Sequence, residues 1–292
     1  MFVPSGTMGN LIALLTPPQR GHEIIVEEEA HIVRAERGYA YVGGLEVCRI
    51  KGCEGVLDAR DVEEAILTSR SQKVDLLCLE NTHLNAGGVA VGAKDVSRLC
   101  DVALRHGIPT HLDGARIFNA SVALGAPVDE IAKDADSLMF CLSKGLCAPV
   151  GSILAGSEGF VERAREIRRI LGGQMRQAGV IAAAGIVALE KMIDRLREDH
   201  ENARLLANGL AKINGISVDP NKVQTNVVFF DVRDIGLTAK VFATELFKEW
   251  NIKIDARKRT FVRAVTYRDV SRADVEYFLN AVRMIASGHT PA

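Results

Sequence analysis

The chain has 292 residues, and its 36 lysines and arginines are balanced by 37 aspartates and glutamates, which gives a net charge of −1. Hydrophobic residues make up 48% of the chain and charged residues 25%, as in ordinary globular proteins. This composition excludes a disordered or collagen-like chain, and the balanced charge gives no reason to expect binding to nucleic acid or to an anionic membrane. The length suits one large domain and a smaller one.

The sequence also bears on the compartment. No apolar run is long enough to be a membrane span, and the first residues lack the pattern of a secretory signal. The six cysteines form no CxxC pair and no compact framework, which indicates reduced thiols, so we expect a cytoplasmic protein. Residues 2–6 read as the end of a strand, and we therefore expect that the chain starts within a domain. Whether an organelle-targeting signal precedes these residues stays open.

Strand-like and helix-like segments alternate along the first two thirds of the chain. Short apolar runs predict buried strands at residues 23–27, 45–50, 74–80, 110–113, 137–142 and 152–155. Helical periodicity predicts helices at residues 58–68, 94–106 and 160–171, and a long helical region over residues 175–214. This alternation favours an α/β fold built on a mostly parallel sheet.

The pattern changes after Asn214. Strands are predicted at residues 216–218, 226–232, 252–254 and 261–265, with helices at residues 238–250 and 271–287. We therefore predict a large domain over residues 1–214 and a small α+β C-terminal domain over residues 215–292.

Two residues at the ends of predicted strands point to cofactor chemistry. Lys144 follows the strand at 137–142, where apolar neighbours would lower the pKa of its amine and favour formation of a Schiff base. Asp113 ends the strand at 110–113, where a carboxylate can keep the ring nitrogen of pyridoxal phosphate protonated. A surface lysine in a turn and an aspartate that caps a helix stay open as alternatives for each residue alone.

A second group of residues suits a phosphate. Ser5, Gly6 and Thr7 precede an apolar helix, so free backbone amides and two hydroxyls could cradle a phosphate there. Arg176 follows a glycine pair that allows close approach of the backbone. Helix capping alone also explains the first three residues.

Two histidines and two arginines complete the candidate site. His31 could stack on a planar ring, and His83, at another strand end, could bind or deprotonate a substrate hydroxyl. Arg116 faces the same opening as Asp113, and Arg263, within an apolar strand, could clamp a substrate carboxylate. A lone histidine is more often structural, and a mid-strand arginine usually pairs or reaches solvent, so these alternatives stay open. The sequence contains no HExxH motif, and we expect no metal.

Taken together, the motifs resemble those of low-specificity L-threonine aldolases, which are pyridoxal-phosphate enzymes of the aspartate aminotransferase-like fold (fold type I). The resemblance covers essentially the whole chain and rests on FVPSGTMGN (2–10), ENTH (80–83), HLDGARIFNA (111–120), CLSKGLCAPVGS (141–152) and GGQMRQAGVIAAAG (172–185).

The resemblance implies a role for each candidate residue. Lys144 would be the Schiff-base lysine, Asp113 the partner of the pyridine nitrogen, and His31 the residue stacked on the ring. His83 would contact the β-hydroxyl, and Arg116 with Arg263 would hold the substrate carboxylate. The phosphate would be bound by Gly6 and Thr7, with Ser5 beside them, and Arg176 would contribute near the cofactor, from its own or a neighbouring subunit.

The implied reaction is retro-aldol cleavage of L-threonine or L-allo-threonine to glycine and acetaldehyde, a step of threonine catabolism and glycine formation. A dimer-based homo-oligomer, usually a tetramer, is implied as well. Alternatives are β-elimination or racemisation on the same fold, or an inactive truncated chain. This sequence departs from the family pattern at Leu84, Gln174 and Tyr267. It also lacks the N-terminal segment with an Arg-Ser-Asp-Thr motif that the resemblance leads us to expect.

Overall fold

A computed structural model describes residues 1–17, 23–69 and 73–288 of the chain. The chain divides into two compact units, residues 1–194 and residues 195–292, and each is described by itself. Among the described residues, the helices are all too short or too polar to cross a membrane.

The first unit is built on a mostly parallel sheet, which confirms the predicted α/β class. Within the described residues the sheet has seven strands, in the order β1-β7-β6-β5-β4-β2-β3. They are β1 (Phe2–Val3), β2 (Glu23–Glu27), β3 (Glu46–Ile50), β4 (Val74–Glu80), β5 (Thr110–Asp113), β6 (Ser137–Cys141) and β7 (Ser152–Gly156). Strands β2 to β6 pair in parallel, whereas β7 runs antiparallel to β6 and β1 runs antiparallel to β7.

Helices cover both faces of this sheet. The helices of this unit are α1 (Gly6–Leu15), α2 (Gly38–Tyr41), α3 (Ala59–Thr68), α4 (Ala93–Arg105), α5 (Ile117–Leu124), α6 (Val128–Ala132), α7 (Glu158–Ile170) and α8 (Gly179–Lys191). Successive side chains of a strand point to opposite faces, so Leu77 packs with α3 and α4 while Leu76 and Cys78 pack on the other side with Leu14 of α1. This leaves the carboxyl ends of the parallel strands at one edge.

The second unit is a small α+β unit. A three-stranded antiparallel sheet has the order β8-β10-β9, with β8 (Val227–Asp231), β9 (Asp255–Ala256) and β10 (Phe261–Val265). Its helices are α9 (Leu196–Leu210), α10 (Ala239–Trp250) and α11 (Arg272–Ala286). The core joins Phe230 of β8, Phe242 of α10 and Leu279 of α11.

Four details differ from the sequence-based expectations. The helical region predicted over residues 175–214 is interrupted, because α8 ends at Lys191 and α9 begins at Leu196. The sequence placed α9 with the large domain, whereas the apolar face of α9 packs into the core of the second unit through Leu206 and Leu210. The strand predicted at 252–254 is wrong, and residues 216–218 contribute only a single bridge, from Ser217 to Asp231.

Candidate active site

The carboxyl ends of three neighbouring strands carry the centre of the candidate site. Glu80 of β4 pairs with Asp113 of β5, which in turn pairs with Met139 of β6. Asp113 is buried, with Oδ1 accepting from the amide of Ala115 at 3.0 Å and Oδ2 accepting from Nδ2 of Asn10 at 2.8 Å. Asp113 is therefore a fixed carboxylate at the edge where α/β folds bind ligands.

His31 lies next to this carboxylate. Its Nδ1 is 2.9 Å from Oε1 of Glu36, and the same oxygen accepts from Nδ2 of Asn10 at 3.1 Å. The hydrogen bond to Glu36 raises the pKa of His31 against the opposing effect of burial, and the charges of Glu36, Asp113 and Glu80 add to the rise. The imidazole is 31% exposed, so it is open to a ligand.

His83 is seated differently, because its side chain is fully buried. Nε2 is 2.8 Å from Oε2 of Glu27, and Nδ1 accepts from the amide of Ala86 at 3.2 Å. In the neutral ring the proton therefore lies on Nε2 and is donated to Glu27. Burial opposes the charge on Glu27, yet hydrogen bonds from His83 and from the amides of Glu29 and Gly52 hold the pKa of this carboxyl below its usual value.

Glu80 ties the two histidine segments together. Its Oε2 accepts from the amide of His31 at 2.7 Å and its Oε1 accepts from the amide of Leu84 at 2.8 Å. Burial raises the pKa of Glu80, which lies 3.9 Å from Nε2 of His83. One side chain thus fixes the backbone on both sides of the site.

The predicted phosphate seat is the start of α1. Ser5 caps this helix by accepting from the amide of Met8 at 3.2 Å, and Ser5 and Thr7 are exposed. The first amides of a helix have no acceptor within it, so the amides of Gly6 and Thr7 are suited to an anion. A Cβ at Gly6 would lie 2.8 Å from Sγ of Cys141, so the start of α1 approaches the end of β6.

Lys144 lies three residues beyond Cys141, in the turn that follows β6. Its side chain is half-buried, and its carbonyl accepts from the amide of Cys147 at 2.9 Å. Because β6 is parallel to β5, this turn leaves the sheet at the same edge as Asp113. The structure therefore brings the start of α1 and the Lys144 turn to the end of one strand.

The predicted arginines fall into different places. Arg116 is half-buried and precedes α5, three residues after Asp113. Arg176 is exposed, in a turn held against α1 because a Cβ at Gly173 would lie 2.1 Å from Sδ of Met8.

Arg263 belongs to the second unit, on β10. Its Nη2 pairs with Oδ2 of Asp255 at 2.6 Å, while Nε and Nη1 are buried without a hydrogen-bonding partner among the described residues. The side chain borders a cavity of about 850 Å³ within this unit, together with Trp250 and Tyr277. The guanidinium thus keeps donors for a further acceptor.

Sequence analysis missed the residues that hold the predicted ones in place. They are Asn10, Glu27, Glu36 and His111; Glu80 stood in a quoted motif without a role. Asn10 and His111 also lay within quoted motifs, FVPSGTMGN and HLDGARIFNA, which was the available signal. Their contacts join positions about a hundred residues apart, and spacing along the chain does not report such contacts.

Comparisons with known proteins identify the family of this chain. The beta-eliminating lyase family matches residues 1–233. A low-specificity L-threonine aldolase of Arabidopsis thaliana is 42% identical over 96% of this chain and 80% of its own length. That of Escherichia coli K12 is 38% identical over 93% of this chain and 80% of its own length.

Solved structures support the fold. A threonine aldolase from Leishmania major has a TM-score of 0.81 at 19% identity, over 97% of this chain and 83% of that one. An aromatic aminotransferase from Pyrococcus horikoshii has a TM-score of 0.73 at 14% identity, over 99% of this chain and 79% of that one. The chain therefore belongs to the beta-eliminating lyase family and, within it, to the low-specificity L-threonine aldolases.

Proposed function

We propose that this protein is a pyridoxal-phosphate-dependent aldolase that cleaves L-threonine and L-allo-threonine to glycine and acetaldehyde. The observation that carries the proposal is the set of Asp113, His31 and the Lys144 turn at the carboxyl edge of one sheet. Relatives that are 38–42% identical over most of the chain and are named low-specificity L-threonine aldolases support the substrate. This reaction would contribute to threonine breakdown and glycine formation.

The residues present fit the proposed cofactor. The amine of Lys144 would carry it, and Asp113, a buried carboxylate held by Asn10 and Ala115, would face its ring nitrogen. The partly exposed imidazole of His31 would stack on the ring. The phosphate would be bound at the start of α1, by Ser5, Gly6 and Thr7, with Arg176 contributing near the cofactor.

Bound pyridoxal phosphate supplies an electron sink for the bond between Cα and Cβ of the substrate. Arg116 would hold the substrate carboxylate and thereby orient the substrate for cleavage. Arg263 belongs to the second unit, and its predicted contact with the substrate carboxylate stays a prediction.

Cleavage also requires removal of the proton from the β-hydroxyl. Among the described residues, Nε2 of His31 has no hydrogen-bonding partner, whereas both ring nitrogens of His83 are bound within the chain. We therefore propose that His31 accepts the proton of the β-hydroxyl, directly or through a water that it holds. The predicted contact of His83 with the hydroxyl stays a prediction, and it would require release of Glu27 or Ala86.

We also propose a homo-oligomer built from dimers and complete as a tetramer. Helix α8 leaves Val180, Ile186 and Val187 exposed, which is more apolar surface than one helix ordinarily presents to water. A second copy of the chain would cover this face. Light scattering on the protein and on the Ile186→Glu variant tests this: the variant should have a smaller mass, and an unchanged mass would refute the placement.

The test of the proposed function is covalent mapping followed by product analysis. The purified protein is mixed with pyridoxal phosphate and reduced with borohydride, and its peptides are analysed by mass spectrometry. The adduct should lie on Lys144, should vanish in Lys144→Ala, and should persist in Lys191→Ala, a control on the exposed end of α8. A folded protein without an adduct on Lys144 would refute the assignment.

Product analysis then separates the reactions open to this fold. Equal amounts of glycine and acetaldehyde from L-threonine would support the aldolase. A 2-oxo acid with ammonia would indicate β-elimination, and a D-amino acid would indicate racemisation. An adduct on Lys144 without any of these products would indicate a chain that binds the cofactor but is inactive.

A further inference from the structure

The amide of Asn10 lies between two carboxylates. Asn10 is fully buried on α1, and its Nδ2 donates both to Oδ2 of Asp113 at 2.8 Å and to Oε1 of Glu36 at 3.1 Å. On its other side, Oδ1 lies 3.1 Å from Nε2 of His111. All polar atoms of this side chain are therefore engaged.

These partners define the orientation of the amide. Ionised carboxylates only accept hydrogen bonds, so the NH2 group must face Asp113 and Glu36. The carbonyl Oδ1 then faces His111, which has to donate its proton from Nε2. Burial lowers the pKa of His111 to about 4, which keeps this ring neutral, and the hydroxyl of Ser137 lies 2.9 Å from Nδ1 as the remaining partner.

The arrangement solves an electrostatic problem. Ligand atoms of His31, Glu36 and Asp113 lie within 4.8 Å of one another, and two carboxylates so close together would repel each other. A neutral amide that donates to both of them stabilises both charges without adding one. Asp113 and Glu36 are thereby held in fixed orientations, one beside the predicted ring site and the other on Nδ1 of His31.

We propose that Asn10 is a positioning residue of the active site. It acts directly on Asp113, and through Glu36 on His31, to set the charge and orientation of these two groups, which would face the cofactor. The part of this inference that concerns cofactor binding rests on the proposed function. The part that concerns the orientation of the amide does not, because it follows from the contacts of the protein alone.

The first test uses the unaltered protein without cofactor. Selective 15N labelling of histidine and long-range proton–nitrogen NMR report which ring nitrogen of His111 carries the proton. The inference requires the proton on Nε2 at pH 7. A proton on Nδ1 would mean that the amide is turned round, with its carbonyl toward the carboxylates, and would overturn the inference whatever the protein catalyses.

The second test replaces the amide. Asn10→Asp keeps the shape but adds a third acid, and Asn10→Ala removes both donors without adding charge. The control is Asn202→Asp, a buried asparagine of the second unit that donates to the carbonyl of Val270 at 3.0 Å. Melting temperatures without cofactor show which variants fold, and fluorescence titration with pyridoxal phosphate gives the dissociation constants.

The affinity of Asn10→Asp for pyridoxal phosphate should depend on pH in a way that the affinity of Asn10→Ala does not. The groups that face position 10, or lie just beyond it, are Glu36 on the turn after β2, Asp113 and His111 on β5, His31, and Glu80 with Cys78 on β4. Neighbouring carboxylates keep the new acid protonated at low pH, where affinity should approach that of the unaltered protein. As pH rises and the acid ionises, affinity should fall by roughly tenfold or more.

The outcomes separate this inference from the proposed function. Failure of the unaltered protein to bind pyridoxal phosphate refutes the function, and the NMR test still decides the orientation of Asn10. If the unaltered protein binds pyridoxal phosphate and both Asn10 variants bind it with the same affinity as the unaltered protein at all pH values, the positioning role is overturned. If one variant does not fold, the other variant tests the positioning role, and a proton on Nδ1 of His111 would still overturn the inference.

Discussion

The substitution Gly55→Ala tests how His83 is seated. Gly55 has a φ of +81°, in the left-handed region that residues with a Cβ avoid. A Cβ there would lie 2.4 Å from Cγ and 2.7 Å from Nδ1 of His83, and 2.8 Å from Cβ of Ala86. His83 has no room to move aside, because it is fully buried and bound to Glu27.

The cost has two parts. The backbone conformation alone disfavours alanine by about 1–2 kcal/mol, and forcing a methyl group into packed atoms costs about 1–3 kcal/mol. The free energy of unfolding should therefore fall by about 2–5 kcal/mol. Gly44→Ala is a matched control, because Gly44 has a φ of +63° and nothing lies within 4 Å of its added Cβ. It should lose only the backbone part, about 1–2 kcal/mol.

Urea unfolding of the two variants, followed by circular dichroism, gives both losses under one condition. We expect Gly55→Ala to lose about 1–3 kcal/mol more than Gly44→Ala. The His83 resonances should shift in Gly55→Ala alone. Equal losses in the two variants would show that the turn at Gly55 does not press on the imidazole, and the described seat of His83 would be wrong.

Two further predictions concern buried titratable groups. The pKa of His111 is lowered by burial to about 4, below its usual 6.5, so its contribution to stability is complete above pH 6.5 and is lost as pH falls toward 4. At pH 4.5 this loss amounts to about 2–3 kcal/mol, and urea unfolding should show a correspondingly shallower decline for His111→Gln; an identical decline would contradict the assignment. Burial also raises the pKa of the Cys78 thiol, and that of Cys100 to about 11. Iodoacetamide at pH 8 should therefore label the exposed Cys53 first in peptide mass spectrometry, and equally fast labelling of Cys78 would contradict the described burial.

Local pattern was sufficient for most of the large domain. The runs at residues 23–27, 74–80 and 110–113 are strands with the predicted bounds, because strands buried on both faces have short, mostly apolar centres that stand out in the sequence. The start of α3 was also predictable from the sequence, because Asp58 caps this helix through its side chain. Fold class followed from the alternation of these elements.

Pattern was insufficient where packing decides. Ile252 and Ile254 are apolar and alternate with Lys253 as in a strand, but residues 252–254 lie beside the cavity of the second unit, and only Asp255 and Ala256 pair with β10. Helix α9 reads as a continuation of α8, and its place is determined by the core that receives Leu206 and Leu210. An apolar face has to be buried, but the sequence does not state against what.

The sequence by itself determined the alternation of strands and helices, the positions of Asp113 and Lys144 at strand ends, and the resemblance to a family of aldolases, because each is a property of short segments. Only the tertiary structure decided which groups meet. It places Asn10 between Asp113 and Glu36, leaves the imidazole of His31 partly exposed and buries that of His83. These contacts join residues far apart in the chain, and their energies depend on burial, which exists only once the sheet and its helices have assembled.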